Sequence, residues 1–317
     1  EKLGSLGLGS GATASVISAM TSVTGLVQTA QNVISSPLQS YFNSLKGKIA
    51  GGDASSVIVK NTDKDSRIVT KGNGADAIVA QSIGGGGGTS GSASGILVAG
   101  AAQGAQGNAG TVHVENNGWL ITEGEHAAAI VAQSIGGGGG LSSGLDQTAV
   151  YTELGASGAS GLGDTVSVNN AGTILTTGRL SQAIVAQSIS GGGGSVGFSE
   201  QLSLGGSNTS QSNAKDVAVN NSGYIGTETD GASAIVAQSI GGGGGFAAGT
   251  QQVLTSGQGS GDSGNLSITN VAASEVQSAG IYTAGKYAHG ITAKSIAGGG
   301  GYAILMDKNG NLTGFFT

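Results

Sequence analysis

Cysteine is absent from the 317-residue chain, which removes disulfides, thiolate metal sites and a thiol nucleophile at once. Proline occurs once, so neither a collagen-like period nor a proline-rich spacer is possible. Charged residues make up only 9% of the chain, too few for a chain kept disordered by its own charge. The 12 Lys and Arg residues form no basic cluster and the net charge is −6, so a nucleic-acid face is not expected. No run is apolar and long enough to span a bilayer as a helix. The opening Glu1-Lys2-Leu3-Gly4 does not read as a signal peptide, so an exported form is expected to be the mature one.

What the chain has in abundance is glycine, 64 residues, beside small aliphatics. Aromatics are scarce, at 4%. A core is affordable, but a narrow one.

The ordering of these residues carries more than their number. Ala77-Ile78-Val79-Ala80-Gln81-Ser82-Ile83 runs into Gly84–Gly88 and recurs at Ala129, Ala183 and Ala234. A looser fifth copy starts at Gly290. The first isoleucines stand at 78, 130, 184, 235 and 291, steps of 52, 54, 51 and 56. Upstream, Val112-x-Val114, Val166-x-Val168 and Val217-x-Val219 lead to Asn116, Asn170 and Asn221, each two residues before a glycine. Short alternating runs punctuated by Asn and Gly read as strands joined by tight turns. Strands that cannot bury a face alone must stack on the neighbouring repeat.

The sequence therefore predicts an all-β fold, a parallel β-solenoid of five repeats over residues 51–301. A repeat of about fifty residues reads as two rungs of the usual size, one carrying Val-x-Val through the Ile78–Ile83 run and the other the glycines and the variable stretch behind them. A fifth copy with Thr292 and Lys294 in place of Val79 and Gln81 puts the Ile/Ala/Ser face inward and Gln81 and Lys294 outward. Ile83 has the wrong parity for that core, so it sits at a corner or packs against something outside it.

The glycine runs would cost on the order of 10–20 kcal/mol relative to alanine, at roughly 0.5–1 kcal/mol per residue. Recurrence after the same strand argues against a loose linker. Gly86, Gly138, Gly192, Gly243 and Gly299 are expected to form a stacked face that another backbone approaches, either of this chain or of a neighbouring subunit.

Residues 1–50 form a different segment. No charge occurs from Leu3 to Leu45, and Val16, Met20, Val23, Val27, Ile34, Leu38, Tyr41 and Leu45 recur at helical spacing. An amphipathic helical segment is expected, serving as a solenoid cap or as a subunit contact. Residues 302–317 read as a hairpin turning at Asn309-Gly310.

Catalytic constellations are missing from the pattern. The 18 Asp and Glu residues and the three histidines do not recur at equivalent positions. Glu123-Gly124-Glu125-His126 reads as a solvated turn, and Asp307–Asn311 as part of the hairpin. No catalytic, cofactor or metal residue is assigned, and the chain is not expected to be an enzyme. A carbohydrate-active β-helix enzyme is the least favoured reading.

The Ala-Ile-Val-Ala-Gln-Ser-Ile-Gly-Gly-Gly-Gly-Gly motif, preceded by Asn-Asn-x-Gly-x-Ile-x-Thr-x-Gly, resembles the repeats of large Gram-negative autotransporter passenger domains. The resemblance covers residues 57–301 and implies a right-handed parallel β-helix displayed outside the outer membrane, with adhesive or biofilm roles. It departs from that pattern after Gly301, where no membrane β-barrel is expected, so the chain is expected to be either an excised passenger or, the favoured reading, a self-contained subunit that assembles after export. The expectation is an extracellular subunit of a self-assembling surface or matrix fibre, its partner a second copy of itself and, beyond that, matrix components or glycans. The alternative is a monomeric adhesin binding glycans or host surfaces through variable segments such as 195–215 and 246–262.

Overall fold

A computed structural model describes residues 51–90, 95–99, 105–142, 149–155, 159–205, 212–256, 259–271 and 280–317. The N-terminal segment with Val16, Met20, Val23, Val27, Ile34, Leu38, Tyr41 and Leu45 lies outside the described residues. Within them the fold is all β, a parallel β-solenoid.

Each repeat contributes strands to four sheets. In the first repeat these are Val57–Asn61 (sheet A), Arg67–Thr70 (sheet B), Ile78–Ile83 (sheet C) and Gly87–Ser90 (sheet D). Equivalent strands of successive repeats lie side by side, parallel and in register. Val57 pairs with Val112, Val112 with Val166, Val166 with Val217 and Val217 with Leu266. Sheet C repeats this, Ile78 through Ile130, Ile184 and Ile235 to Ile291.

Direct pairing of residues one repeat apart corrects the expected rung count. Each repeat is one coil, rising by one strand spacing of about 4.8 Å, and not two. The residues assigned to a second rung form sheet D, which returns over the outside of sheet C. The reason is the outer face of sheet C itself. Its Val185 and Val236 are apolar and need cover, and they cluster with Phe198, Phe246, Ala248, Tyr302, Ile304 and Met306 of sheet D. In the three middle coils every residue of the Ile-Val-Ala-Gln-Ser-Ile strand is consequently buried. A strand covered on both faces reads as a nearly continuous apolar run.

The main core lies between sheets A, B and C. It stacks Val112, Val166 and Val217 against Leu120, Ile174 and Ile225 and against Ile130, Ile184 and Ile235, with alanines at the tight points. The Ile/Ala/Ser face points inward as expected. Ile135, Ile189 and Ile240 are fully buried outside this core, on the same face of sheet C as the valines that sheet D covers, one of the two placements their parity allowed.

The turn between sheets B and C holds one left-handed residue in every coil: Gly74, His126, Leu180, Gly231 and Tyr287, with φ from 52° to 69°. Only two of the five are glycine, so coil stacking imposes the conformation on the others.

At the C-terminal end Gly300–Met306 and Leu312–Phe316 form an antiparallel hairpin along the last edge of sheet D. Asp307 closes its turn, its carboxylate accepting the amide N–H groups of Asn309 (2.8 Å) and Asn311 (2.9 Å). Phe315 stacks on Tyr302 (centroids 5.5 Å) and Tyr302 on Phe246 (5.8 Å), which explains why so many of the few aromatics collect here.

Candidate functional site

The glycine runs make the turn from sheet C into sheet D. Gly86, Gly138, Gly192, Gly243 and Gly299 all have φ between 87° and 98°, a conformation only glycine adopts freely. A Cβ on Gly192 would lie 3.2 Å from the Gly138 oxygen, and one on Gly243 3.2 Å from the Gly191 and Gly192 oxygens. One residue further on the contact becomes impossible: a Cβ on Gly139, Gly193 or Gly244 would sit 1.9, 1.8 or 1.7 Å from the oxygen of the equivalent glycine in the next coil. The backbone that approaches these glycines belongs to neighbouring coils of the same chain.

Three columns of polar side chains tie the coils together. In sheet A, Asn61 Nδ2 donates to Asn116 Oδ1 (2.8 Å), Asn116 to Asn170 (2.8 Å), Asn170 to Asn221 (2.7 Å) and Asn221 to Asn270 (2.8 Å). On the covered face of sheet C, Gln81 Nε2 donates to Gln133 Oε1, Gln133 to Gln187 and Gln187 to Gln238, at 2.6–2.7 Å. Gln133 and Gln187 also bond Ser195 of sheet D, fastening the outer layer to the inner. In the core, the hydroxyls of Ser82, Ser134, Ser188 and Ser239 accept the backbone N–H of Gly110, Asp164, Lys215 and Gly264 in the following coil. Burial of these three columns is tolerated because their members find partners one strand spacing away, whereas the stacked hydroxyls of Thr70, Thr122, Thr176 and Thr227 find none.

The pattern stops at the fifth coil. Lys294 stands in the glutamine column and can only donate, so the buried Gln238 Nε2 has no partner. The Lys294 ammonium lies over the Tyr302 ring, 4.6 Å from its centroid, and burial pushes its pKa down. Ser295 meets the Ser263 hydroxyl (2.8 Å) where earlier serines meet a backbone N–H. Ile291 is 46% exposed although its equivalent Ile78 is 4% exposed. The last strands of sheets A, B and C, Leu266–Asn270, Gly280–Thr283 and Ile291–Ile296, each pair on one side only. Among the described residues no strand covers the C-terminal end of the core.

Among the described residues no group of His, Asp and Glu is arranged to hold a metal ion. The histidines stay apart: His113 bonds the Ser167 hydroxyl (2.6 Å) on sheet A, and His289 packs beside Phe315 (centroids 4.7 Å). His126 is not the solvated turn residue expected. Sheet D covers it, its ring donates to the Gly197 carbonyl, and its Nδ1 is shut off from water without a partner. Burial first, and then the Arg179 charge, push its pKa down to about 4.

Asp76 lines the same small cavity as His126, between sheets C and D. Burial pushes its carboxyl from 3.8 up to about 7, against the opposing effect of the Ala128 N–H it accepts at 2.7 Å. A raised carboxyl pKa means that the folded state favours the protonated form. The stabilisation is complete below about pH 4 and is lost as pH rises through 7. Asp76→Asn keeps the acceptor for Ala128 and cannot ionise. Its melting temperature should match the wild type near pH 4, rise above it between pH 4 and 7, and hold a constant advantage beyond pH 8. Thermal scans of the two proteins across that range check this, and an equal offset at every pH would contradict it.

Of the variable segments expected to bind ligands, the described residues are partly covered and partly exposed, with Gln201, Asn213, Lys215, Gln252 and Asp262 facing solvent. Ser195, Val196, Phe198, Ser199 and Leu202, like Phe246 and Ala248, are buried strand residues of sheet D. No family model, curated protein or solved structure matches this chain.

Proposed function

We propose that the protein is an extracellular structural subunit that self-assembles into a surface or matrix fibre. The observation that supports this most is the open C-terminal coil. Solenoids need their terminal cores covered, and unpaired strand edges are templates for association. Here the chain turns back at Asp307–Asn311 to seal sheet D alone, leaving sheets A, B and C and the half-exposed Ile291 at the end. The uncharged Leu3–Leu45 segment, with its apolar stripe, is the occupant we favour, contributed by a second copy. A neutral polar surface can be buried at low desolvation cost when its hydroxyls and amides find partners. The glycine runs and the hairpin are engaged within one chain and are not needed as contacts. The resemblance to autotransporter passengers supports placement outside a Gram-negative cell.

Electron microscopy and sedimentation of the full chain test the reading. Fibres with a regular axial repeat are expected. Ile291→Lys, which places a charge at the open end without entering the coils before it, should yield dispersed, folded particles with unchanged β-sheet circular dichroism. Monodisperse wild-type particles at high concentration would overturn the proposal.

A further inference from the structure

The glutamine column between sheets C and D ends on a residue of the wrong chemistry. From Gln81 to Gln187, each Nε2 donates to the Oε1 of the glutamine in the next coil. Gln238 is fully buried, and its Oε1 is already bonded by Gln187 at 2.7 Å. Its register partner on the following strand is Lys294. A glutamine there would offer an oxygen to Gln238 Nε2, whereas an ammonium carries donors and no acceptor. A buried amide and a cation therefore stand on adjacent strands, and nothing accepts from the amide.

Sheet D supplies no substitute. Earlier in the column its hydroxyls take part: Thr89 bonds Gln81 Oε1 (2.9 Å), and Ser195 bonds Gln187 Oε1 (2.7 Å) and accepts from Gln133 Nε2 (2.8 Å). The register position of Ser195 holds Phe246 and then Tyr302 in the last two coils. The two rings stack, with the Lys294 ammonium over the Tyr302 face. The Tyr302 hydroxyl lies near Ser233 and serves neither donor. Among the described residues no carboxylate pairs with Lys294. Burial lowers its pKa, and no charge opposes that effect.

We infer that a monatomic anion of the halide class binds between Gln238 Nε2 and the Lys294 ammonium. The place to be filled is that of one glutamine oxygen, which sets the size of the ligand. Hydrogen bonding and charge set its kind. An anion only accepts, so it satisfies amide and ammonium together and brings nothing that needs a partner. A water would satisfy the same two donors, but its own O–H groups must then find acceptors beside two aromatic rings. It would also leave the cation uncompensated. A carboxylate or sulfate adds oxygens that only these two donors could serve. A metal cation finds no lone pair directed at it.

The test uses the full chain at constant ionic strength, so that screening does not change. Replacing sodium gluconate by sodium chloride, up to about 0.5 M, should raise the melting temperature saturably by about 2–4 °C. Lys294→Gln installs the residue of the other four coils and gives Gln238 its acceptor. This variant should show no chloride dependence and melt at least as high as the chloride-saturated wild type. In crystals grown with bromide, an anomalous peak should lie between Gln238 Nε2 and Lys294 Nζ. A wild-type melting temperature indifferent to chloride would overturn the inference. So would an undiminished chloride response in Lys294→Gln, or bromide found only elsewhere. A result against anion binding leaves the fibre reading untouched, since that reading rests on the unpaired strands of sheets A, B and C and is tested by microscopy.

Discussion

Gly172→Ala is expected to cost about 3 kcal/mol or more, although it adds a single methyl group at the protein's surface corner. The added Cβ would lie 2.0 Å from the Gly118 oxygen and 2.8 Å from Asn116 Nδ2, so both the adjacent coil and the asparagine ladder must move. Gly172 has no left-handed φ, so the effect isolates close packing from backbone conformation. The first described coil supports the argument, because Ser66 occupies the position equivalent to Gly118 and no described strand lies before it in sheet B. Gly52→Ala is the control. Its Cβ would meet nothing within 4 Å, and the change should stay within about 0.5 kcal/mol of wild type. Chemical denaturation of the two variants measures the contrast, and equal stabilities would refute close stacking at this corner.

Asn170→Leu should be nearly as damaging, by about 2–4 kcal/mol, for a different reason. Asn170 is 1% exposed and makes three bonds: it accepts from Asn116 and donates to Asn221 and to the Gly172 carbonyl (3.2 Å). Leucine is similar in size, so packing changes little. It strands a donor on one neighbour and an acceptor on the other, away from water. Asn270→Leu removes one bond at an exposed position and should cost less than about 1 kcal/mol. If the two variants lost equal stability, the ladder would contribute nothing beyond ordinary surface hydrogen bonding.

Much of this architecture was legible in the residues. Val112-x-Val114 and Ile78-x-Ala80-x-Ser82 alternate because one face meets a core, and their recurrence at near-constant spacing forces stacking. The number of coils per repeat was not legible, because a period gives the length of a unit and not the path it takes. Lys294 misled in a specific way. It shows that its position faces away from the core, which is correct, but it lies in the one coil where the outer layer ends. In the other four repeats the same position is glutamine, and Val79, Val131, Val185 and Val236 beside it are apolar. That apolar outer face was the available sign of a second layer. The ladders had a signal too: an identical amide at the same place in every repeat can bond its own copy one strand spacing away. Asn116, Gln133 and Ser134 were read as turn or surface residues, or by face alone, because pairing between repeats is invisible within any one of them. Tertiary stacking also overrode local preference in the B–C turn, where His126, Leu180 and Tyr287 adopt a left-handed conformation that their types disfavour.

The central claim is that one repeat makes one coil, with residues a repeat apart lying side by side. The absence of cysteine makes it directly testable. His113 and Ser167 are register partners on the outer face of sheet A, their side chains already in contact at 2.6 Å. A disulfide requires Cα atoms within about 7 Å, which neighbouring parallel strands satisfy and strands two coils apart, at about 9.6 Å, do not. In the double variant His113→Cys/Ser167→Cys, mild oxidation of the folded protein should close an intramolecular disulfide, seen as a loss of two hydrogens in the intact mass. Two thiols that stay free in the folded protein and close only on unfolding would contradict the single-coil repeat.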